Sequence, residues 1–351
     1  MALTICLDWP NKRPAKLPPQ LPTIEIWQSF NTALPDDRAN RLIYGDNLQV
    51  MAVLLPSLAG KFDLIYVDPP FFTGRDWHIR TPAGSAKAER AYEDVWDNDL
   101  GAYLQWLLDR LAAARDLLCD TGCIYLHLNW QAAHYAKLLL DELFGIENFQ
   151  NEIIWCYREA INSKKRWNRK HDTILFYSKT NSFKFNPSAV LQPYSDSTVS
   201  KFRQKDEKGP YRLMGRGIVE SPLRSKRDLA PEMETLFPEL TYRHYLGEGT
   251  LPVDYWLIDI ENQASSRRTG YPTQKPEELL ERILLASTDE GDLVGDFCCG
   301  SGTTLAVAHK LGRRWIGCDV GEKAIEVSQE RLAGLGAEFR AEGMGGETDK
   351  T

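Results

Sequence analysis

The sequence has no long uninterrupted apolar run, no paired-cysteine motif and no overall excess of positive charge. No apolar stretch approaches membrane-spanning length, and the amino terminus lacks the charged-then-apolar layout of a signal peptide, so no membrane association is predicted. The seven cysteines form no CxxC pair and show no Cys/His ligand spacing, which is typical of reduced thiols in a cytoplasmic protein without a metal site. We interpret the adjacent Cys298 and Cys299 as packing residues in a tight turn.

The net charge of −7 is unevenly distributed along the chain. Residues 158–227 contain 17 Lys and Arg against 6 Asp and Glu, so this block carries +11 and the rest of the chain −18. A basic run is often only a solvated face, but this one is interleaved with aromatic residues, a mixture that suits phosphate contacts and base stacking. The cations that we expect to contact double-stranded DNA are Lys164, Lys165, Arg166, Arg169, Lys170, Arg203, Arg212 and Arg216.

A short apolar run at residues 64–67 ends in Asp68, Pro69, Pro70 and Phe71. A continuously apolar run is typical of a buried parallel strand, and consecutive prolines force the chain out of the sheet at the edge where ligands bind. There, Asp68 and the Pro69 carbonyl could accept both hydrogens of a nucleobase amine, while Phe71 stacks on the base. The alternative is a turn that only terminates the strand.

A second strand-and-turn unit lies near the carboxyl end of the chain. The predicted strand 292–296 ends in Asp296, a turn with Gly300 and Gly302 leads into a helix, and the next strand ends in Asp319. The turn and the second acid are separated by about 20 residues, the spacing at which an acid reaches a ribose in a nucleotide-binding βαβ unit. The turn matches neither GxGxxG nor a P-loop, which counts against a dehydrogenase. Acids at both strand ends suit the ammonium group and ribose hydroxyls of S-adenosylmethionine.

Three further features allow more than one interpretation. Asp46 follows the predicted strand 41–44, where it can contact a cofactor, cap the next helix, or do both. His127 lies in an apolar run, and we favour a satisfied core histidine over a functional one. The polar segment 73–98 directly follows the tetrad and is interpreted as a loop that closes over substrate.

Strands alternate with helices over most of the chain. This rhythm predicts an α/β fold with a doubly wound, mostly parallel, Rossmann-like sheet. It fails where the sequence becomes basic, aromatic and rich in Pro, Gly and Ser, which predicts an inserted DNA-recognition region. The predicted divisions are an N-terminal arm at 1–38, a catalytic half at 39–180, the inserted target-recognition region at 181–259, a cofactor-binding half at 260–335 and a disordered tail at 336–351.

Taken in order, these motifs resemble the beta-class amino-methyltransferases of DNA, in which the catalytic motif precedes the cofactor motif. The resemblance covers residues 41–333, and the motifs that carry it are GDNL (45–48), DPPF (68–71), HDTILFYSK (171–179), YPTQKPEELLERILLAST (271–288), CGSGTT (299–304) and GRRWIGCD (312–319). One motif departs from the family. Asp296 is followed by Phe297, Cys298 and Cys299, whereas the family usually has Asp-Pro-Phe-Cys. Loss of the proline makes the turn less rigid, and loss of the aromatic alters one wall of the pocket.

The resemblance implies roles for individual residues. The DPPF tetrad would hold the target amine and stack on the flipped base, while Asp46 would contact the cofactor's adenine and Asp319 its ribose. Thr273 and Lys275 would lie near the methionine end of the cofactor. The other implied pocket residues are Asp296, Phe297, Cys298, Gly300, Ser301, Gly302 and Thr303. An Asp at the head of the tetrad resembles the adenine-methylating members, whereas cytosine-N4 enzymes more often carry Ser.

The sequence therefore predicts a site-specific methyltransferase that uses S-adenosylmethionine to modify the N6 amine of adenine in double-stranded DNA. The predicted location is cytoplasmic, in association with bacterial or phage DNA. One alternative is a cytosine-N4 enzyme. Another is a DNA-binding protein that retains the fold without catalysis, which the departure at Phe297 and Cys298 supports. The resemblance alone suggests a homodimer. It leaves open the recognition sequence and the existence of a cognate restriction endonuclease.

Overall fold

The computed structural model describes residues 6–30, 39–78, 90–158, 163–216, 227–261 and 268–344. The strands are β1 (Ile24–Phe30), β2 (Asn40–Tyr44), β3 (Phe62–Val67), β4 (Arg75–His78), β5 (Arg90–Asp94), β6 (Leu118–Leu128), β7 (Phe149–Cys156), β8 (His171–Ser178), β9 (Gln204–Asp206), β10 (Gly209–Gly215), β11 (Arg227–Leu229), β12 (Thr241–Tyr245), β13 (Tyr255–Leu257), β14 (Leu293–Asp296), β15 (Arg314–Asp319) and β16 (Phe339–Met344). The helices are α1 (Asn47–Leu58), α2 (Leu100–Leu117), α3 (Ala133–Phe144), α4 (Asp196–Val199), α5 (Glu232–Leu236), α6 (Glu277–Ser287), α7 (Thr303–Lys310) and α8 (Glu322–Gly334).

The chain divides into two compact units. The larger comprises the residues up to Asn186 and those from Asp254 onward, and the smaller is Pro187–Val253. The predicted insertion at 181–259 extends past the smaller unit at both ends, because β13 pairs with β7 in the larger unit's sheet. Within the described ranges, no helix is long and apolar enough to cross a membrane.

Among the described residues, the larger unit builds a ten-stranded sheet in the order β1-β16-β2-β15-β14-β3-β6-β8-β7-β13. The strands from β16 to β6 are all parallel, whereas β1 and β8 run antiparallel to their neighbours. The carboxyl ends of β2, β15, β14, β3 and β6 therefore meet at one edge. The predicted mostly parallel sheet is confirmed.

Helices cover both faces of this sheet. α1, α2 and α3 pack on one face, and α6, α7 and α8 pack on the other. The sequence of β3 reflects both layers, since Ile65 contacts the first set of helices while Leu64 and Tyr66 contact the second, all three being buried. Full burial of such a side chain contributes about 1.5–3 kcal/mol, so a strand covered on both sides carries no polar alternation.

The prediction of a disordered tail at 336–351 is wrong for the residues up to Met344. β16 lies between β1 and β2, antiparallel to the first and parallel to the second. Phe339 is fully buried and stacks on Phe30 with ring centroids 4.4 Å apart. Glu342 is also buried, and Arg41 on the neighbouring strand neutralises it at 2.6 Å. The Gly- and Glu-rich composition did not predict this strand, because the charge of Glu342 is paired with Arg41 only once the chain has folded. Residues 345–351 lie outside the described ranges.

The predicted N-terminal arm, 1–38, is described over residues 6–30. Its first part contacts the helical layer through two ion pairs, from Lys12 to Glu142 at 2.8 Å and from Arg13 to Asp109 at 2.7 Å. Its second part is β1, the edge strand paired with β16. The described part of this segment is therefore bound to the larger unit.

The segment predicted as a loop at 73–98 contains an antiparallel hairpin formed by β4 and β5. Trp77 and Tyr92 lie on the two strands with their rings stacked at 6.0 Å. The tip of the hairpin, residues 79–89, lies outside the described residues. Closure of this segment over substrate stays a prediction.

In the smaller unit, β10 is the central strand and pairs antiparallel with β9, β11 and β12. Leu213 and Leu229 form its small apolar cluster. Arg243 reinforces the sheet by contacting Asp206 at 2.6 Å and Glu234 at 2.7 Å. A small core supplemented by ion pairs explains why this stretch showed no clear apolar period in the sequence.

Candidate active site

Four aspartates lie where parallel strands of the large sheet end. β3 and β14 are neighbours with Tyr66 opposite Asp296, and the chain reaches Asp68 two residues later. β15 and β2 pair with Asp319 opposite Tyr44, just before Asp46. All four aspartates line one cleft of about 1910 Å³. Sequence positions 46, 68, 296 and 319 are thus brought together by strand order alone.

The two carboxylate oxygens of Asp68 have different surroundings. Oδ2 accepts a hydrogen bond from Lys275 Nζ at 2.5 Å, and both side chains are largely buried. Oδ1 is buried and accepts no hydrogen bond from the described residues, although His127 Nδ1 lies 3.8 Å away. A buried acceptor without a donor costs about 1–3 kcal/mol, so this carboxylate retains unused capacity to bind a polar hydrogen.

His127 belongs to a buried polar group beneath the tetrad. Its Nδ1 lies 2.7 Å from the Tyr66 hydroxyl, and its Nε2 lies 3.4 Å from Asp172 Oδ2. The imidazole also contacts the Phe71 ring, with ring centroids 5.5 Å apart. The favoured interpretation of a satisfied core histidine agrees with this environment. His127 nevertheless lies against two residues of the tetrad, Asp68 and Phe71. Its position in an apolar run did not indicate these contacts.

Asp94 fixes the chain that leaves the tetrad, and sequence reasoning missed it. Its carboxylate accepts the Phe72 amide at 3.0 Å, the Thr73 amide at 2.8 Å and the Thr73 hydroxyl at 2.6 Å. These bonds hold Phe72 at a φ of +60°, which is strained for a bulky residue. Tyr103 adds a hydrogen bond from its hydroxyl to the Pro70 carbonyl at 2.9 Å. The only sequence signal for Asp94 was an acid near the end of the following polar segment.

The glycine turn is joined to the next strand end through Asp319. This carboxylate accepts the Gly300 amide on Oδ2 and the Gly321 amide on Oδ1, each at 2.8 Å. Gly302 has a φ of +68°, and a Cβ atom there would lie 2.7 Å from Ser328 Oγ. Only glycine satisfies both the backbone angle and this close approach. Burial raises the pKa of Asp319, while the two amides counteract the rise.

Asp296 lies deeper than the other three carboxylates. Burial raises its pKa to about 7, and hydrogen bonds from Thr304 and the Cys298 amide only partly offset that effect. The next two residues, Phe297 and Cys298, are those that depart from the family motif. The Phe297 ring packs on Phe62 at 5.7 Å, and Cys298 Sγ accepts a hydrogen bond from Asn47 at 3.2 Å. Both side chains are thus engaged in packing contacts.

Asp46 caps α1 and also pairs with a cation. Its Oδ1 accepts the Leu48 and Gln49 amides, and its Oδ2 contacts Arg110 at 2.7 Å. Arg110 in turn stacks on the Trp106 ring at 3.9 Å. The helix-capping interpretation of Asp46 is confirmed. Arg110 was missed, because a single Arg on an amphipathic helix has no sequence signal of its own.

Three hydroxyl residues predicted to contact the cofactor also line the cleft. Thr273 is exposed, with a φ of +59°. Ser301 and Thr303 are buried with their hydroxyls 3.3 Å apart. Arg331 donates to Thr303 at 2.9 Å, which leaves the Ser301 hydroxyl as the more available of this pair.

The predicted DNA-contacting cations differ in exposure. Lys164, Lys165, Arg166, Arg169, Arg203 and Arg216 are exposed, and Lys170 is half-buried. Arg212 is less available, because its guanidinium lies over the Phe202 ring at 5.1 Å and its Nε is buried. Arg212 is therefore the weakest member of the predicted set, since packing occupies it.

The cleft fits S-adenosylmethionine in its donor and acceptor chemistry. Carboxylates at three strand ends offer acceptors for an ammonium group and ribose hydroxyls, and the glycine turn lets the backbone approach a ligand closely. Within the described residues, no group of three or more His, Cys, Asp or Glu is placed to hold a metal ion.

Comparisons with known proteins agree with this arrangement. A family model described as DNA methylase (N6_N4_Mtase) matches residues 62–330. The chain is 31% identical over 325 residues to the type II methyltransferase M.EcaI of Enterobacter cloacae, covering 84% of this chain and 69% of that protein. It is 27% identical over 298 residues to the DNA adenine methyltransferase YhdJ of Escherichia coli K12, covering 84% of this chain and 83% of that protein.

Two solved structures share the fold. M1.HpyAVI in complex with SAM aligns with a TM-score of 0.50 at 18% identity, over 83% of this chain and 98% of that chain. The cytosine-N4-specific PvuII DNA methyltransferase aligns with a TM-score of 0.52 at 18% identity, over 84% of this chain and 87% of that chain. Since the family model spans most of the sequence, the chain belongs to the N6/N4 DNA methylase family, a family of S-adenosylmethionine-dependent methyltransferases.

Proposed function

We propose that this protein is a site-specific methyltransferase that modifies the N6 amine of adenine in double-stranded DNA after the target base has flipped out. The observation that carries the proposal is the placement of the tetrad and the glycine turn. They leave neighbouring parallel strands at one sheet edge, and they line the same cleft. An amine acceptor and a turn suited to a nucleoside cofactor therefore lie side by side.

The tetrad has to make a weak nucleophile reactive, because the lone pair of an exocyclic amine is delocalised into the base. Asp68 and the Pro69 carbonyl would accept the two amine hydrogens and so orient the lone pair, while Phe71 stacks on the extruded base. Lys275 Nζ donates to Asp68 Oδ2, so the amine hydrogen would be accepted by Oδ1, which accepts no hydrogen bond from the described residues. After methylation the amine is acidic enough to lose its proton to water. The main contribution of these residues is thus positioning.

The cofactor, when bound, supplies an electrophilic methyl group. Asp319 and Asp46 are proposed to accept hydrogen bonds from its hydroxyls and adenine, with Thr273 and Lys275 near its methionine end. The turn through Gly300 and Gly302 would form the floor of its pocket. The other proposed pocket residues are Asp296, Phe297, Cys298, Ser301 and Thr303.

Adenine is proposed over cytosine because the tetrad begins with Asp68, which resembles the adenine-methylating members of the family. The relative YhdJ is described as a DNA adenine methyltransferase. Cytosine N4 is the second candidate, since the same cleft would accept either amine and PvuII methyltransferase is cytosine-N4-specific. Both reactions would use the same acceptors, so the methylated base must be identified to distinguish adenine N6 from cytosine N4.

The test is transfer of tritiated methyl from S-adenosylmethionine to plasmid DNA, followed by nucleoside mass spectrometry. We expect N6-methyladenine from the parent protein and none above background from Asp68→Ala. N4-methylcytosine would assign the second candidate. Equal transfer by Asp68→Ala would show that the site is wrongly assigned. Sequencing of the methylated plasmid would then give the recognition sequence.

A homodimer and a cognate restriction endonuclease remain proposals. The relative M.EcaI is described as a type II methyltransferase. Light scattering of the purified protein, with and without duplex DNA, tests the first. Growth of cells that carry the neighbouring genes without this one tests the second.

A further inference from the structure

An exposed tryptophan lies among the basic residues of the loop between β7 and β8. The Trp167 side chain is 95% exposed, whereas Trp27, the next most exposed tryptophan among the described residues, is 50% exposed. Full burial of a large apolar side chain contributes about 1.5–3 kcal/mol, and Trp167 makes none of that contribution to folding. Its position therefore calls for an explanation outside the stability of the chain.

The loop that carries Trp167 is held in shape on both sides of its tip. Asn168 accepts the Ser163 amide at 2.8 Å and donates to the Ser163 carbonyl at 3.1 Å, which closes a turn around residues 164–167. At the base, the Tyr157 amide donates to the Lys170 carbonyl at 3.1 Å. These bonds present the indole on a turn of fixed geometry, so little ordering is required when it binds.

The base of this loop lines the cleft that contains Asp68. Tyr157, Arg158 and Arg169 are all lining residues, and the Arg169 guanidinium stacks on the Trp130 ring at 3.6 Å. Because β7 runs parallel to β3 and β6, its loop leaves the sheet at the catalytic edge. Two residues span at most about 7 Å, so Trp167 lies close to the mouth of the cleft.

The charge around Trp167 indicates which kind of partner it binds. Lys164, Lys165 and Arg166 are exposed on the same turn, and Arg169 is exposed just after it. Four cations so close in the chain favour a polyanion. A flat aromatic ring among cations that contact phosphates is suited to stack on nucleobases. Base flipping also leaves a gap in the duplex, and proteins offset the cost of unstacking by inserting an apolar side chain.

We propose that Trp167 inserts into the base stack and fills the gap left by the extruded target base. This inference rests on the proposed function, since it assigns Trp167 to the same DNA complex. It makes Trp167 a positioning residue: it would keep the duplex open while the tetrad holds the flipped base. The neighbouring cations would supply the sequence-independent affinity.

The test compares the affinities of two labelled duplexes of about 25 base pairs by fluorescence anisotropy. One is intact, and the other has the same sequence with a central abasic site. Base–aromatic stacking contributes about 1–3 kcal/mol, so we expect the parent protein to prefer the abasic duplex by about fivefold or more. Trp167→Ala should reduce that preference below about twofold, and Trp167→Phe should retain most of it.

Arg166→Ala is the matched control on the same turn. It should weaken binding to both duplexes equally and reduce the dependence on salt by about one phosphate contact. Thermal unfolding should be unchanged in Trp167→Ala, because the Trp167 side chain is 95% exposed. The loss of preference therefore cannot arise from misfolding.

The proposal is overturned if Trp167→Ala keeps the parent's preference, if the parent shows none, or if neither duplex is bound. These results are distinct from failure of the proposed function. Asp68→Ala should lose methyl transfer while keeping the preference for the abasic duplex. Parent protein that methylates adenine but shows no such preference retains its proposed function and loses only the role of Trp167.

Discussion

A carboxylate lies at the end of both β3 and β14, but the surroundings of Asp68 and Asp296 differ. Asp68 is paired with Lys275, and its other oxygen accepts no hydrogen bond from the part of the chain that the structure describes. Asp296 is buried deeper, accepts hydrogen bonds from Thr304 and the Cys298 amide, and has its pKa raised to about 7. The first environment holds an acceptor in a fixed place, and the second favours a partner that brings positive charge. This difference separates an amine site from a cofactor site within one cleft.

Outside the tetrad Asp68–Phe71, the largest effect is expected from Asp319→Ala, which removes the link between the cofactor turn and the next strand. The Gly300 and Gly321 amides would lose their acceptor, and each unsatisfied buried group costs about 1–3 kcal/mol. We expect S-adenosylmethionine affinity to fall by about 30-fold or more, measured by calorimetry. Glu322→Ala, an exposed acid three residues away, is the control and should change affinity little.

Lys275→Met should show that the Asp68 side depends on a paired charge. It leaves a largely buried carboxylate without its cation, and we expect a loss of about 2 kcal/mol in the free energy of unfolding. The control is Lys310→Met, which breaks the more exposed pair with Glu277 and should cost less than about 0.5 kcal/mol. Equal effects in urea unfolding would mean that the Asp68 pair is an ordinary surface contact.

Asp94→Asn tests whether the tetrad is held in place from behind. An amide cannot accept the Phe72 and Thr73 amides and the Thr73 hydroxyl together, so the strained turn should relax. We expect kcat for methyl transfer to fall about tenfold, close to 1.4 kcal/mol, while cofactor affinity stays the same. An unchanged kcat would remove Asp94 from the positioning of the tetrad.

The smallest expected effect is the pH dependence of cofactor affinity, which tests whether Asp296 differs from Asp68 in its ionisation. Its folded-state pKa of about 7 exceeds the usual value of 3.8, so its contribution to stability is greatest below pH 3.8 and is lost as pH rises to 7. A cationic cofactor should favour the ionised form. We therefore expect affinity to increase by about fivefold between pH 6 and 7.5. Asp296→Asn should flatten that profile, and an unchanged slope would contradict the assignment.

Both strand ends were predictable because the signals are local. An apolar run followed by two prolines, and a strand followed by Gly300 and Gly302, define where the chain leaves the sheet without reference to other residues. The order of strands then places the ends together. The helix-capping role of Asp46 was predictable for the same reason, since it depends on the next three residues.

The missed features depend on pairing across the chain. Lys275 was predicted near the cofactor, but its contact with Asp68 joins residues 207 positions apart. β16 pairs Met344 with Ile24, and its buried Glu342 is acceptable only beside Arg41. Asp94 closes a turn that begins 22 residues earlier, at Phe72. None of these partners can be chosen from composition or period, because each is selected by the completed fold.

Two strand ends that share one cleft are proposed to have separate roles: Asp68 holds the target amine, and Asp319 binds the cofactor. The most direct measurement takes Asp68→Ala and Asp319→Ala side by side, with calorimetric binding of S-adenosylmethionine and single-turnover methyl transfer to DNA on the same samples. We expect Asp68→Ala to bind the cofactor within about twofold of the parent while transfer falls by about a thousandfold, whereas Asp319→Ala should bind it about 30-fold or more weakly. Loss of cofactor binding in Asp68→Ala, or full methyl transfer by this variant, would overturn the separate roles of the two residues.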